Sequence, residues 1–356
     1  MVHPILDNRI HYKECISLKN EGYDVAIAAP IITEEQHDNI KYLPLGTFSG
    51  RLNRLMSGWR RALKVIGEFK PDVIHIHDPE LVGLSFLLRK KQIKLIYDVH
   101  EDLPKQLLYK SWIPLVIRWP LSRIVRAFES FSSKYFHGIL TVTNEIANRF
   151  EPSKTDVLRN LPLLSLKKDR KTEGHKNLRL IYAGGLTRLR GIRELIQAVS
   201  LSNQPVNLVL VGKWESDEFR KQCESENGFE NCKYLGYMNM DEVYQEIANS
   251  DVGIATLYPI RNYLESLPVK AFEYMLHGLP VIMSDFDYWK SQFRGAALFV
   301  DSMNPGEIAK TIDNLIENQN LRHELSERAL ALTKNELNWE RESQKLLEMY
   351  HKILEP

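Results

Sequence analysis

Two glutamates, Glu265 and Glu273, are separated by seven residues in a stretch whose residue types suit a ligand that is both hydroxylated and anionic. A carboxylate offers two acceptor oxygens, which match the vicinal hydroxyls of a sugar or ribose. Glu273 shares helical spacing with Val269, Phe272 and Leu276, so it falls on or beside an apolar stripe, where a carboxylate needs a partner. An ion pair with Lys270, or a rim position in contact with water, meets that need as well as a sugar hydroxyl does. Ser266 as N-cap, Pro268 in the first turn and Gly278 past the end predict a helix over about 267–277, opened by Leu267. Its positive N-terminal end suits an anion such as a diphosphate, and Glu265 stands just ahead of it.

A second element with phosphate chemistry follows the apolar run Leu178 to Ala183. Gly184 and Gly185 let backbone N–H groups approach an anion, and Arg188 and Arg190 add charge-assisted hydrogen bonds. A plain strand-to-helix turn with solvated arginines is the alternative. His100 ends another apolar run that begins at Lys94; a lone histidine is more often structural. His75 and His77 lie two apart, on one face of a strand, and with Asp78, His100 and Asp102 they offer zinc-ligand types. No ligand spacing of a zinc hydrolase is completed, so strand-end polar groups satisfied by the following turn are expected, and no metal.

The elements that must position these residues alternate in type. Asp251 to Leu257 and Leu279 to Met283 flank the helix of the two glutamates and read as neighbouring parallel strands of a βαβ unit, with the 258–265 loop at a strand's carboxyl end, where open α/β sheets bind ligands. Upstream, a helix from about Arg9 to Glu21 stops at Gly22 before a strand Asp24 to Ala29. A long amphipathic helix covers about 51–69, strands follow near 71–77, 94–99 and 138–143, and a helix covers 145–150. The polar stretch 166–176 reads as a linker, after which the pattern restarts with strands at 178–183, 206–212 and 232–236 and closes with helices near 305–318, 319–334 and 338–354. The fold class is therefore α/β with two Rossmann-like domains, 1–165 and 177–337, a linker 166–176 and a final helix within 338–356.

Composition limits the function classes. The 356 residues, 44% hydrophobic and 26% charged, are enough for two domains with substantial cores. A formal charge of +1 gives no global attraction to nucleic acid. Cys15, Cys223 and Cys232 fit no metal spacing and suit a reducing compartment, so a cytoplasmic location is expected. No run of about 18 apolar residues predicts a membrane span. From Tyr109 to His137 the chain is rich in Trp and Arg, including Lys110, Trp112, Arg118, Trp119, Arg123 and Arg126. There Leu121, Ile124, Val125, Phe128 and Phe131 recur at helical spacing, which predicts core, with an interfacial helix on an anionic leaflet as the alternative.

The string from Glu265 through Glu273, followed by Tyr274, Met275, Gly278 and Pro280, resembles the signature of retaining nucleotide-sugar glycosyltransferases with two Rossmann-like domains, the GT-B fold, and most closely glycosyltransferase family four. The resemblance spans nearly the whole chain and is strongest from Tyr182 to Trp289. It implies transfer of a hexosyl unit, with retention, from a UDP- or GDP-linked sugar to a glycan or lipid-linked glycan hydroxyl, in bacterial surface polysaccharide synthesis. No cofactor is expected beside the donor; with no paired-aspartate motif placed to hold a divalent ion on a diphosphate, while arginines and a helix terminus are available, metal independence is expected, and the Trp- and Arg-rich stretch allows peripheral contact with the inner membrane. In that reading Glu273 holds the ribose, Glu265 the sugar hydroxyls and His100 the sugar near its reacting carbon, with Tyr237 or Met238 on the base and Gly184, Gly185, Arg188, Arg190, Ser266 and Leu267 around the donor. The chain departs from the pattern at Gly185, which takes the family's arginine position, while Arg190 takes its lysine position and Arg188 serves as a substitute. His-Ile-His-Asp-Pro-Glu at 75–80 is also similar to a family sequence. His3 and Pro4 resemble a loop that follows the family's first strand, so either the natural protein starts ahead of Met1 or the N-terminal sheet lacks a strand. A nucleotide-sugar 2-epimerase, which uses a similar fold, and a silent nucleotide- or glycan-binding subunit are the alternatives.

Overall fold

A computed structural model describes residues 5–30, 37–110, 113–170 and 176–355; Met1, His3, Pro4, Trp112 and the middle of the 166–176 stretch lie outside them. The chain forms two compact units, Met1–Asn160 together with Glu342–Pro356, and Leu161–Arg341.

In the first unit a π-helical turn over Ile10–Cys15 continues into α1, Ile16–Asn20, and Gly22 at φ +99° lets the chain reverse into β1, Ala26–Ala29. β1 pairs in parallel with β2, Lys41–Pro44. The helix α2, Arg51–Phe69, matches its expected span, and β3, Val73–Ile76, follows. The short α3, Leu84–Leu88, leads to β4, Lys94–Val99, and α4, Leu103–Leu107, to the long α5, Leu115–Ser133. β5, Gly138–Thr141, α6, Asn144–Ala147, and β6, Thr155–Val157, complete this half. β3, β4, β5 and β6 form a parallel four-stranded sheet separate from the β1–β2 pair, and among the described residues no strand joins β1 to β3.

The second unit holds one six-stranded parallel sheet in the order β12-β11-β10-β7-β8-β9. In chain order these are β7 (Leu178–Ala183), α7 (Ile192–Leu201), β8 (Val206–Val211), α8 (Asp217–Glu224), β9 (Cys232–Gly236), α9 (Met240–Ala248), β10 (Val252–Ala255), α10 (Val269–Leu276), β11 (Val281–Ser284), α11 (Asp287–Phe293) and β12 (Ala297–Val300). The helices α12 (Pro305–Glu317) and α13 (Gln319–Asn335) follow. β10 and β11 are parallel neighbours, as their sequence suggests. The last helix, α14, Trp339–Leu354, leaves the second unit at Arg341 and packs in the first, where Arg159 donates to Glu342 and Lys345 to the Val157 carbonyl.

The 121–131 stripe is corrected by the structure. Ile124 is 65%, Phe128 42% and Phe131 51% exposed, so these residues are not core. Leu115, Val116 and Trp119 join them on the surface of α5, while Glu129, Ser132 and Ser133 are the residues that helix buries. Helical spacing alone does not say which face a helix turns inward; here Glu129 accepts a hydrogen bond from the Tyr97 hydroxyl at 2.7 Å and anchors the polar side.

Candidate functional site

Strand order in the second unit reverses at β7 and β10, because β8 and β9 continue on one side of β7 while β10 lies on the other. Ligands of open α/β sheets bind outside the carboxyl ends at such a point. The glycine turn follows β7 and the glutamate loop follows β10, so the topology brings the two sequence motifs to one place.

The turn is shaped by close backbone approach. Gly184 takes φ +137°, and Gly212, at the end of β8, takes φ +139°. A Cβ on Gly212 would meet the Gly184 carbonyl oxygen at 1.9 Å, so no other residue fits there. Gly184 N–H donates to Val211 O at 2.8 Å and Gly212 N–H to Gly236 O at 2.7 Å, tying the ends of three strands together. A 3-10 turn, Arg188–Arg190, then intervenes before α7, whose N-cap is Gly191. That turn separates the two arginines. Arg188 is exposed, donates to Gln222 Oε1 at 3.0 Å and lies over the Phe219 ring. Arg190 turns inward: a Cβ on Gly184 would lie 3.1 Å from Arg190 Nη1 and 3.0 Å from Lys270 Nζ.

Lys270 thus shares the glycine turn with Arg190. Its ammonium is buried, has no hydrogen-bond partner among the described residues, and lies 3.6 Å from the centroid of the Tyr182 ring. Burial, reinforced by Arg190, pushes its pKa well below the ordinary lysine value against the pull of Glu273. Burial also opposes the Arg190 charge, yet the phenols of Tyr182 and Tyr263 outweigh it and raise the pKa. Two cations brought to one glycine turn are held at a cost that an anion would offset. Lys270 was read in the sequence only as a partner for Glu273; its signal is its place in the first turn of the glutamate helix, next to the glycine turn across β7.

α10 starts at Val269 with Pro268 as N-cap, so Ser266 is not the cap. Its hydroxyl instead donates to Tyr263 O at 3.0 Å, and its carbonyl accepts from Trp289 Nε1 at 2.6 Å, which pins the loop. Proline before a helix favours an extended conformation at the residue ahead of it, and the helix begins two residues late. Its first N–H groups have no side-chain cap. Ala271, Phe272, Tyr274, Met275 and Leu276 are buried, at about 1.5–3 kcal/mol for each large apolar side chain, so the helix is fixed in place. Glu273, 8% exposed, accepts from the Tyr244 hydroxyl at 3.2 Å. Glu265 is exposed in the loop, Leu267 and Met238 pack against the core, and Tyr237 is 73% exposed.

In the first unit, His100 stands at the carboxyl end of β4 and its Nε2 lies 2.9 Å from Asp98 Oδ2. Asp98 is in turn held by Arg9, whose Nε donates to Oδ2 at 3.1 Å and Nη2 to Oδ1 at 3.0 Å. Burial raises the Asp98 pKa, but Arg9 and His100 outweigh it and hold the carboxyl well below its ordinary range. His77 Nδ1 is 3.2 Å from His100 Nε2, His75 and His77 stack at 4.4 Å, and burial lowers His77 to about 4. Glu14, Arg9 and Asp98 were not singled out from the sequence; Asp98 shares a strand face with His100 by its spacing of two, whereas Arg9 and Glu14 reach it only through tertiary structure.

Ligating atoms of Glu14, His75, His77 and Asp98 lie within 4.8 Å of one another, a donor set that could hold a metal ion. Arg9 already pairs with two of its four members, Glu14 at 2.8 Å and Asp98 at 2.9 Å. A buried guanidinium supplies the positive charge that a cation would bring, and it disfavours a second one. Asp102 is not in this group; it caps α4 through Lys105 N–H and pairs with Arg149.

Family models match both halves of the chain: residues 12–157 match one described as Glycosyltransferase Family 4, and residues 166–331 one described as Glycosyl transferases group 1. No curated protein sequence matches. Among solved structures, sucrose-phosphate synthase from Thermosynechococcus elongatus superposes with a TM-score of 0.76 at 14% identity, over 95% of this chain and 90% of that one. WaaG, a glycosyltransferase involved in lipopolysaccharide biosynthesis, gives 0.71 at 13% identity over 98% and 96%. Anabaena HepE in complex with UDP-glucose gives 0.70 at 16% identity over 88% and 86%. Identities this low speak for the fold. Fold and matches together define a glycosyltransferase with two Rossmann-like domains. Within that class the chain belongs with the family-four, group 1 glycosyltransferases.

Proposed function

We propose that this chain transfers a hexosyl unit, with retention, from a UDP- or GDP-linked sugar to a hydroxyl of a glycan or lipid-linked glycan, in the synthesis of bacterial surface polysaccharide. The observation that carries the reading is the buried Lys270 ammonium beside Arg190 at the glycine turn, both within about 3.1 Å of where a Gly184 Cβ would lie. The two cations and the uncapped start of α10 stabilise charge building on the leaving diphosphate. They supply what a divalent ion supplies elsewhere, so neither a metal nor a further cofactor is needed. Glu273 accepts from the ribose, Glu265 from sugar hydroxyls, and Met238 or Tyr237 packs on the base. Ser266 and Leu267 shape the donor loop. Arg188, drawn toward Gln222, is left with a peripheral role. His100, its ring oriented by Asp98, is assigned to the sugar near the reacting carbon. Attack on the donor's leaving-group face, with the departing phosphate accepting the proton, gives retention without a carboxylate nucleophile. HepE was solved with UDP-glucose, which agrees with this donor class.

Calorimetry with UDP and GDP tests the reading. Lys270→Met should weaken binding at least tenfold, EDTA should leave affinity and transfer unchanged, and unaltered affinity in the variant would overturn the diphosphate site. Solvent deuterium entering the sugar C2 without an acceptor would mark an epimerase instead.

No helix among the described residues is long and apolar enough to cross a membrane. The exposed Leu115, Val116, Trp119 and Ile124 on α5, interleaved with Arg123 and Arg126, nevertheless suit an anionic bilayer surface, where a lipid-linked acceptor resides. Sedimentation with vesicles containing anionic lipid should carry the protein down, and Val116→Ser with Trp119→Ser should reduce the bound fraction severalfold. Equal sedimentation of both forms would remove the membrane from the proposal.

A further inference from the structure

His100 sits in a stretch of chain that one buried carboxylate holds on both sides. Glu129 of α5, 3% exposed, accepts from the Tyr97 hydroxyl at 2.7 Å, and Tyr97 precedes His100 on β4. On the far side Glu129 pairs with Arg149, and Arg149 Nη1 lies 3.2 Å from Oδ1 of Asp102, which follows His100. A polar ring thus closes through the chain itself: from Glu129 to Tyr97, along the backbone past His100 to Asp102, and back through Arg149.

Asp102 in turn caps α4, accepting from the Lys105 N–H at 3.1 Å. α5 holds the rest of α4 by further polar contacts: Ser122 Oγ donates to Pro104 O at 2.7 Å and Arg118 Nη1 to Leu108 O at 3.3 Å. A surface helix ordinarily buries its apolar stripe, whereas α5 buries Glu129, Ser132 and Ser133 and leaves Ile124, Phe128 and Phe131 exposed. Its inner face therefore offers direction more than apolar burial. Arg149 suits the closing place in the ring, because a guanidinium is a planar fork whose two ends reach two carboxylates, while an ammonium is a single point charge.

We propose that Arg149 is a positioning residue for the transfer reaction, one that fixes the backbone of the His100 loop by joining Asp102 to Glu129. Asp98 orients the His100 ring, and Arg149 sets where the backbone that carries the ring stands. The loop is thereby registered to α5 as well as to β4. A buried ion pair adds little stability over apolar packing, and admitting a single arrangement is the use assigned to this one. The assignment rests on the reading that puts His100 near the reacting carbon.

A double-mutant cycle on the full chain tests it, the rate being release of UDP from UDP-glucose, or of GDP from GDP-mannose, with water as acceptor. Arg149→Lys keeps a cation for one carboxylate and cannot bridge both; it should lower kcat about tenfold and leave the donor KM unchanged. His100→Ala should lower kcat as well, and Arg149→Lys added to it should cost about twofold at most, because a residue that acts through His100 then has nothing left to position. Equal losses in both backgrounds, or no loss from Arg149→Lys, would overturn the proposal. A His100→Ala chain as fast as the unaltered one would remove His100 from the site, and the proposal with it. Hydrogen exchange at the Lys105 and Gln106 amides, which both donate to Asp102, needs no turnover and decides alone where neither donor is consumed. It should quicken about tenfold in Arg149→Lys while the β8 amides stay unchanged, and unchanged exchange at both would overturn the proposal whatever the rates. Should Arg149→Lys fail to fold, Glu129→Gln, which keeps an acceptor for the Tyr97 hydroxyl and breaks the ion pair, takes its place in both measurements.

Discussion

The two units solve one problem differently. In the second, β7, β8, β10 and β11 are buried almost throughout, and the site backbone is fixed by strand ends that touch through Gly184, Gly212 and Gly236. In the first, β1 and β3 are mostly half-buried and the polar centre is fixed by charge, with Arg9 forked onto Asp98 and paired with Glu14. Backbone packing needs no ionised group and tolerates a change of pH; a buried ion network holds position only while every partner is present. The second unit therefore has charge to spare for a ligand, Lys270 above all, whereas the first spends its charges on itself.

The sharpest break in that comparison is Asp98→Ala. It leaves the buried Arg9 guanidinium with the Leu158 carbonyl and Glu14, whose pKa burial and Asp98 hold well above its ordinary value. Removing one partner of a buried pair costs about 3–5 kcal/mol. Denaturant unfolding followed by hydrogen exchange should show that loss in β3 to β6 and none in β7 to β12. The double variant Arg9→Met with Asp98→Leu should lose less than the single one. An equal loss in both units would mean that the network is not what holds the first.

Glu273→Ala probes the other side. The helix remains fixed by its buried apolar residues, and Tyr244 loses one acceptor. Loss of a hydrogen bond to a charged group costs about 1.5–3 kcal/mol, so UDP affinity should fall roughly ten- to a hundredfold with circular dichroism unchanged. Unchanged affinity by calorimetry would remove the ribose role and leave Glu273 as the partner of Tyr244.

The residues that were legible share a local cause. Gly184, Gly185, Glu265 and His100 follow strands whose apolar runs are plain in the sequence, and strand order then puts the loops after β7 and β10 beside one another without further information. Lys270 was legible only as a neighbour of Glu273, because what isolates it is the packing of Tyr182 and Arg190 from a segment about 80 residues upstream. Ser266 misled because a good capping side chain is no cap when Pro268 delays the helix. The α5 stripe misled because periodicity reports that a face exists and not where it turns.

The smallest expected effect is a titration, and it separates the units by where their charge is free. In the ligand-free protein the Lys270 pKa is depressed, so its neutral form gains population at a lower pH than for an ordinary lysine. A bound diphosphate favours the ammonium and raises that pKa, so binding takes up protons wherever the free side chain is partly neutral. The sign follows: UDP affinity is fully present below the ligand-free Lys270 pKa and falls as pH rises through it, by at most about tenfold per pH unit for one proton. Calorimetry in two buffers of different ionisation enthalpy measures the uptake directly, and Lys270→Met should abolish both the uptake and the alkaline loss. Asp98→Asn, which alters only the first unit's internal network, should leave the alkaline slope as it is. A slope that persists in Lys270→Met would assign the titration to another group and deny the second unit its free charge.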